Sequence, residues 1–112
     1  MLESLKQEKR EAIVPSLWQL EVINVLSVAE KRERISTAEA LHFLDLLLNL
    51  PILVDEGKHD MKDLLLLSKT YALSAYDAAY LDLAVREQVP LATRDIQLSQ
   101  AATLARVPLL EV

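Results

Sequence analysis

The sequence predicts an α/β fold, a three-layer α/β/α sandwich with a mostly parallel sheet, formed by a single domain over residues 1–112. Short apolar segments alternate with longer helical patterns, which is typical of parallel strands joined by helical crossovers. With 112 residues, of which 52% are hydrophobic, the chain can bury one sizeable core. A single glycine and abundant leucine and alanine favour helices over open turns.

The first elements are a charged segment, a short strand and a helix. Residues 2–10 indicate a solvated helix, and residues 12–15 a short extended segment that ends at a proline. Ser16 with Gln19 three residues later has the spacing of a capping box, in which side chains satisfy the first backbone N–H groups of a helix. We therefore expect a helix from Ser16 to about Lys31.

A second capping box, Ser36 with Glu39, predicts the next helix, which extends to about Asn49. Polar residues recur along it at steps of three and four, so its leucines are expected to face the core. These leucines are Leu41, Leu44, Leu47 and Leu48. Residues 52–55 follow a proline and predict a four-residue strand.

The second half repeats the alternation of helices and strands. Asp60, Ser74 and Asp95 each precede a helical pattern and are expected to cap it. The predicted helices cover about residues 60–71, 74–87 and 95–105, and the predicted strands cover residues 89–93 and 108–112.

Composition excludes several classes of function. The chain has 12 basic and 17 acidic residues and a net charge of −5, which argues against a general polyanion binder, and no helix is basic enough to read DNA. Without cysteine there are no disulfides, thiolate metal sites or Cys nucleophile. No segment resembles a signal peptide or spans a bilayer, so we expect a cytoplasmic protein without membrane contact. His42 and His59 are poorly spaced for zinc and are expected to be solvated.

Three acidic residues are candidates for a catalytic metal site. Asp77 lies in the first turn of an apolar helix, Asp95 follows a short strand, and Glu21 interrupts another apolar helix. The carboxyl ends of parallel strands are where α/β folds build sites, and converging carboxylates favour a hard cation and phosphate chemistry. Thr93 could hold a metal-bound water or a phosphate oxygen near Asp95, and Asn24 could orient Glu21.

Each acid also has a purely structural interpretation. Asp77 and Asp95 stand where acids complement the helix dipole or cap the first turn, and capping is commoner than catalysis. Glu21 shares a stripe with Leu17 and Val28, where an unpaired buried carboxylate would be costly. That stripe either faces a metal or cleft, or simply faces water, and helix periodicity leaves both alternatives open.

Three segments carry a family resemblance. VPSLWQLEVINVL (residues 14–26), LSAYDAAYLDLA (73–84) and PLATRD (90–95) resemble three blocks of the PIN-domain nucleases, and most closely the VapC-type toxins of prokaryotic toxin–antitoxin pairs. The resemblance implies an α/β/α sandwich that cleaves RNA with Mg²⁺ or Mn²⁺ held by Glu21, Asp77 and Asp95, supported by Thr93. It also implies an RNA substrate, a cognate antitoxin protein and a homodimer as partners.

The sequence departs from the family pattern at its beginning. The family's first block is a strand that ends in a metal-binding Asp, and no residue among Glu3, Glu8 and Glu11 replaces it. We therefore expect an N-terminally truncated PIN-like domain. Either a partner or second copy covers the gap, or the start is misassigned and the native protein is longer, and we favour the truncated or fragmentary form. The alternative function is a degenerate, non-catalytic module that acts through self-association or antitoxin binding. The family also tends to have Gly where Gln88 and Arg106 stand.

Overall fold

The computed structural model describes residues 11–57 and 59–110. The predicted helix over residues 2–10 and the last two residues of the predicted strand 108–112 lie outside the described residues. The elements are β1 (Ala12–Pro15), α1 (Leu17–Lys31), α2 (Thr37–Leu48), β2 (Ile52–Asp55), α3 (Met61–Tyr71), α4 (Ala75–Glu87), β3 (Leu91–Ala92), α5 (Ile96–Leu104) and β4 (Leu109–Leu110). The α/β class and the predicted order of elements are confirmed.

Side-chain caps begin most of the helices, as the sequence predicts. At α2 the capping box is complete, because the Ser36 hydroxyl accepts from the Glu39 N–H and the Glu39 carboxylate accepts from the Ser36 N–H. Asp60 caps α3 by accepting from two backbone N–H groups. The capping box predicted at Ser16 is wrong. Ser16 has helical backbone angles, φ −60° and ψ −28°, rather than the extended conformation that aims a cap side chain at the first turn.

The strands form two separate parallel pairs rather than the continuous sheet that we expected. β1 pairs with β2 from Ala12–Ile52 to Pro15–Asp55, and β3 pairs with β4 over two residues each. No strand within residues 11–57 and 59–110 joins the two pairs. β3 is shorter than the predicted strand over residues 89–93, and it begins after Pro90, which cannot donate to the ladder. β4 begins after Pro108 and is described over two residues.

Helix α4 is the centre of the structure. It packs against α3 and α5 and against strands of both pairs. Residues from α4, β3, α5 and the turns beside them form the core cluster, which comprises Leu73, Leu81, Ala84, Leu91, Leu98, Ala101, Ala102 and Val107. Because α4 touches both strand pairs, side chains that follow strands of either pair can lie close to it.

Helices α1 and α2 are much less buried than α4. No residue of α1 is fully buried, and Ala40 is the one that is buried in α2. The predicted core side of α2 is wrong for Leu41 and Leu48, whose side chains are 58% and 77% exposed. The periodicity identified an apolar face correctly, but among the described residues α2 packs mainly on α1, so most of that face stays uncovered.

Two turns explain the positions at which the family favours glycine. Gln88 ends α4 with φ 54°, and Arg106 follows α5 with φ 63°. Both backbones are left-handed, a conformation that glycine adopts without steric strain. No helix of the described residues has the length and apolar character needed to cross a membrane.

Candidate functional site: an acidic cluster at the ends of α1, α4 and α5

The structure brings Glu21, Asp77 and Asp95 into one neighbourhood. Glu21 lies in the second turn of α1, Asp77 in the first turn of α4, and Asp95 directly before α5, three residues after β3. Burial raises the pKa of Asp77, and the negative charges of Asp95 and Glu21 raise it further. The charges of Glu21 and Asp95 therefore act on the Asp77 carboxylate, which places the three acids in the same region of the structure.

The backbone N–H of Asp77 takes part in the cap of α4, and its carboxylate does not form that bond. The Asp77 N–H donates to the Ser74 hydroxyl at 3.1 Å, so Ser74 caps α4 as predicted. The Asp77 carboxylate, by contrast, lies where Asp95 and Glu21 raise its pKa. The Ser74 cap thus uses the backbone of Asp77, while the carboxylate stands in the first turn of α4, where it also complements the helix dipole.

Asp95 caps α5 and is itself positioned by Thr93. The Asp95 Oδ1 atom accepts from the Leu98 N–H at 2.8 Å, and the Asp95 N–H donates to the Thr93 hydroxyl at 3.1 Å. Thr93 thus shapes the turn that carries Asp95 out of β3. Because the cap uses one carboxylate oxygen, the second oxygen is not needed to hold the helix.

Tyr80 is a site residue that the sequence analysis missed. Its hydroxyl donates a hydrogen bond to the Glu21 carboxylate and so links α4 to α1. Burial raises the pKa of Tyr80 well above its ordinary value, and the bond to Glu21 and the charges of Glu21 and Asp77 raise it further. Tyr80 therefore stays protonated at neutral pH. The available signal was its spacing, because residues three apart on a helix share a face and Tyr80 follows Asp77 by three.

Asn24 does not orient Glu21 as we expected. Asn24 is exposed, and within the described residues the hydrogen bond to the Glu21 side chain comes from Tyr80. Periodicity placed Asn24 one turn from Glu21 correctly, but it could not show that a tyrosine from a helix 59 residues away reaches the same carboxylate.

The donor set suits a hard divalent cation in chemistry and charge. In the described part of the chain, no basic side chain forms an ion pair with Glu21, Asp77 or Asp95. In that same part, no three His, Asp or Glu side chains gather closely enough to coordinate one ion by themselves. Mg²⁺ keeps several waters and is usually bound through one or two carboxylates together with substrate phosphates. The carboxylate chemistry of these residues therefore matches the ligands that such an ion takes, and a closed cage of three ligands is not required.

A second polar cluster lies beside α4 and contains His59, which we had expected to be solvated. That expectation is wrong, because His59 Nδ1 lies 3.0 Å from Asp82 Oδ2 and the side chain is only 20% exposed. Arg86 bonds Asp82 through Nε at 3.0 Å and Asp55 through Nη2 at 3.1 Å. This cluster ties the end of β2 and the loop after it to α4. His42 is exposed, as expected.

Comparison with known families agrees with the resemblance read from the sequence. A family model described as PIN domain matches residues 2–104, which is most of the chain. No curated protein matches the chain.

Proposed function

The chain belongs to the PIN domain family, and we propose that it is a metal-dependent endoribonuclease of the toxin–antitoxin type. PIN domains are generally nucleases and typically use divalent metal ions. The observation that supports the proposal is that Asp77 lies within the influence of two further carboxylates, Glu21 and Asp95, and that no basic side chain of the described residues pairs with any of the three. Such an arrangement destabilises the fold and is typical of sites that bind a cation.

The proposed reaction is hydrolysis of an RNA phosphodiester bond. Asp77 and Asp95 would hold Mg²⁺ or Mn²⁺, which lowers the pKa of a bound water and offsets charge on the phosphate. Glu21 accepts from the Tyr80 hydroxyl, which fixes the carboxylate on the side of α1 that faces α4. Tyr80 acts through Glu21 and is a positioning residue. Thr93 has the same kind of role for Asp95.

The test is Mg²⁺-dependent cleavage of RNA by variants that keep the structural bonds. Asp95→Asn preserves a good N-cap, and Glu21→Gln preserves an acceptor for Tyr80, so both are expected to fold. We expect each to lower the cleavage rate by at least about 100-fold, since charge stabilisation by a metal is worth several kcal/mol. The matched control is Asp45→Asn, an exposed acid of α2 outside the cluster. Cleavage by Glu21→Gln or Asp95→Asn at the control rate would remove these acids from the mechanism.

A second candidate function is a degenerate PIN-like module that acts by self-association or by binding an antitoxin. It is favoured by the lack of a closed three-ligand group in the described residues and by the exposed apolar side chains of α1 and α2. This module would take up no Mn²⁺ in titration calorimetry and would form a stable complex in size-exclusion chromatography. Mn²⁺ uptake that Asp95→Asn abolishes would favour the nuclease instead.

The proposed partners follow from the toxin–antitoxin assignment. They are the RNA substrate, a cognate antitoxin protein and a second copy of the chain, and the proposed location is the cytoplasm. The apolar residues exposed on the two N-terminal helices offer a surface for a protein partner; the most exposed are Leu20, Val25, Leu41, Leu46 and Leu48. This surface supports the proposal without identifying which partner covers it.

A further inference from the structure

A cleft runs along one side of α1 and ends at two arginines. Its lining residues are Asn24, Val25, Val28, Ala29, Arg32 and Arg34. The floor is apolar, Asn24 stands at one end, and Arg32 and Arg34, from the turn after α1, stand at the other. The cleft is thus polar at both ends and basic at only one.

The cleft is aligned with the acidic cluster. Glu21, Asn24, Val28 and Arg32 follow one another at steps of three and four along α1, so they share one stripe of the helix. At a rise of 1.5 Å per residue, Arg32 lies about 16 Å along the helix axis from Glu21. A nucleic-acid chain that follows this stripe from Glu21 would therefore pass over the cleft and reach the arginines.

Both guanidinium groups are available to a ligand. Arg32 and Arg34 are exposed, and within residues 11–57 and 59–110 neither makes an ion pair. The Glu30 carboxylate, the closest acid on α1, accepts instead from the Thr37 hydroxyl. Glu33 lies between the two arginines in the chain and is exposed as well, so this end of the cleft keeps a net positive charge in a protein whose net charge is −5.

We propose that this cleft binds the single-stranded RNA substrate, with Arg32 and Arg34 contacting phosphates a few nucleotides away from the scissile bond. The inference rests on the proposed nuclease function and extends it to a named binding surface. Guanidinium groups match phosphate geometry, and single strands are bound in positively charged grooves whose remaining surface contacts sugars and bases. The arginines supply the attraction for RNA that the acidic cluster cannot supply.

The test measures RNA binding without cleavage. The Asp95→Asn protein is titrated against a fluorescein-labelled single-stranded RNA oligonucleotide in EDTA, and anisotropy is followed between about 50 and 200 mM salt. Adding Arg32→Ala and Arg34→Ala is expected to weaken binding about tenfold at low salt. It is also expected to reduce the slope of log K against log salt by about 1.4, because each single-strand phosphate contact contributes about 0.7.

A charge-matched control separates contact from net charge. Lys62→Ala with Lys69→Ala removes the same charge from α3, outside the cleft, and is expected to change affinity by less than about twofold once salt screens distant charges. Equal losses in both double variants, or no RNA binding by the Asp95→Asn protein, would overturn the proposal. The arginine double variant could also bind RNA normally and lose binding of a labelled poly-glutamate peptide. That result would assign the cleft to an acidic polypeptide and would overturn the proposal too.

These outcomes are independent of the nuclease test. Binding is measured in a cleavage-deficient background without metal, so loss of the cleft proposal leaves the effect of Glu21→Gln on cleavage intact. Conversely, the cleft could bind RNA while Glu21→Gln and Asp95→Asn leave cleavage unchanged. That result would support the binding surface and contradict the proposed chemistry.

Discussion

Asp77 and Asp82 stand five residues apart on the same helix and have opposite surroundings. Asp82 is buried and meets His59 and Arg86, whereas Asp77 meets two further carboxylates. At 100° per residue they point about 140° apart around α4. Helix α4 therefore has one side on which the charge of its acid is compensated by basic partners, and another on which it is not. We call these the compensated side, at Asp82, and the uncompensated side, at Asp77.

The compensated side holds the structure together. Arg86 bonds Asp55 and Asp82 at once, and these bonds raise the pKa of Arg86 above its already high value. Through Asp55 the arginine reaches the end of β2, and through His59 the same cluster reaches the loop before α3. The carboxylates of Asp55 and Asp82 are only 14% and 12% exposed, so each depends on its partner.

The uncompensated side is unfavourable for folding. Burial raises the pKa of Asp77, and repulsion by Asp95 and Glu21 raises it further, so the ionised carboxylate is less favourable in the folded state than in the unfolded state. The comparison teaches that an acid with a cation partner builds the fold, whereas acids grouped without one are candidates for function. Three substitutions sharpen this contrast.

The largest effect is expected from Arg86→Ala. It removes the shared partner of two largely buried carboxylates and should lower the free energy of unfolding by roughly 2–3 kcal/mol. Urea denaturation followed by circular dichroism measures the change. Arg94→Ala is the matched control, since Arg94 is exposed, and it should stay within about 0.5 kcal/mol of the parent. Equal stability of the two variants would show that the cluster is not structural.

A smaller loss is expected from Asp82→Asn. The amide keeps the shape of the side chain but replaces charge-assisted bonds to Arg86 and His59 with neutral ones, at a cost of about 1.5 kcal/mol. The same denaturation assay applies. A variant as stable as the parent would mean that shape rather than charge holds Asp82 in place.

The smallest effect, of opposite sign, is expected from Asp77→Asn. Because folding raises the pKa of Asp77, the folded state binds more protons than the unfolded state just above the ordinary value of 3.8, so stability falls as pH rises through that window. Asparagine avoids this penalty. It should stabilise the protein by about 0.5 kcal/mol at neutral pH, and the gain should vanish below the window.

Thermal unfolding of Asp77→Asn and the parent at several pH values measures this dependence. Asp45→Asn serves as a control, because this exposed acid lies outside the cluster. A destabilised Asp77→Asn protein at neutral pH would show that the carboxylate supports α4 rather than opposing the fold.

Local signals in the sequence predicted much of the architecture. Ser36, Asp60, Ser74 and Asp95 cap the helices that they were expected to cap, because a cap depends on residues only two or three positions apart. Ser16 has the same pattern and fails, since the backbone there turns into the helix before the side chain can cap it. Local pattern is thus sufficient only where the incoming chain is extended.

The exposed leucines and His59 show where local pattern was insufficient. Periodicity marks Leu41 and Leu48 as apolar neighbours on one helix face, but whether that face is covered depends on elements far along the chain. His59 lies in a polar loop, and only the fold brings it to Asp82, 23 residues later. Whether a side chain is buried depends on how all the elements pack, so a short stretch of sequence cannot predict it.

Neighbours a few residues apart were enough to predict the order of helices and strands, four of the five helix caps, and the candidate acids. Packing between distant elements was needed to bring Asp77 under the charges of Asp95 and Glu21, to bond Asp82 to Arg86 and His59, and to bring Tyr80 to Glu21. The physical reason is that charge interactions and hydrogen bonds between elements depend on distance in space. That distance is set by how α4 packs against α3, α5 and the strands, and by the bond from Tyr80 to α1.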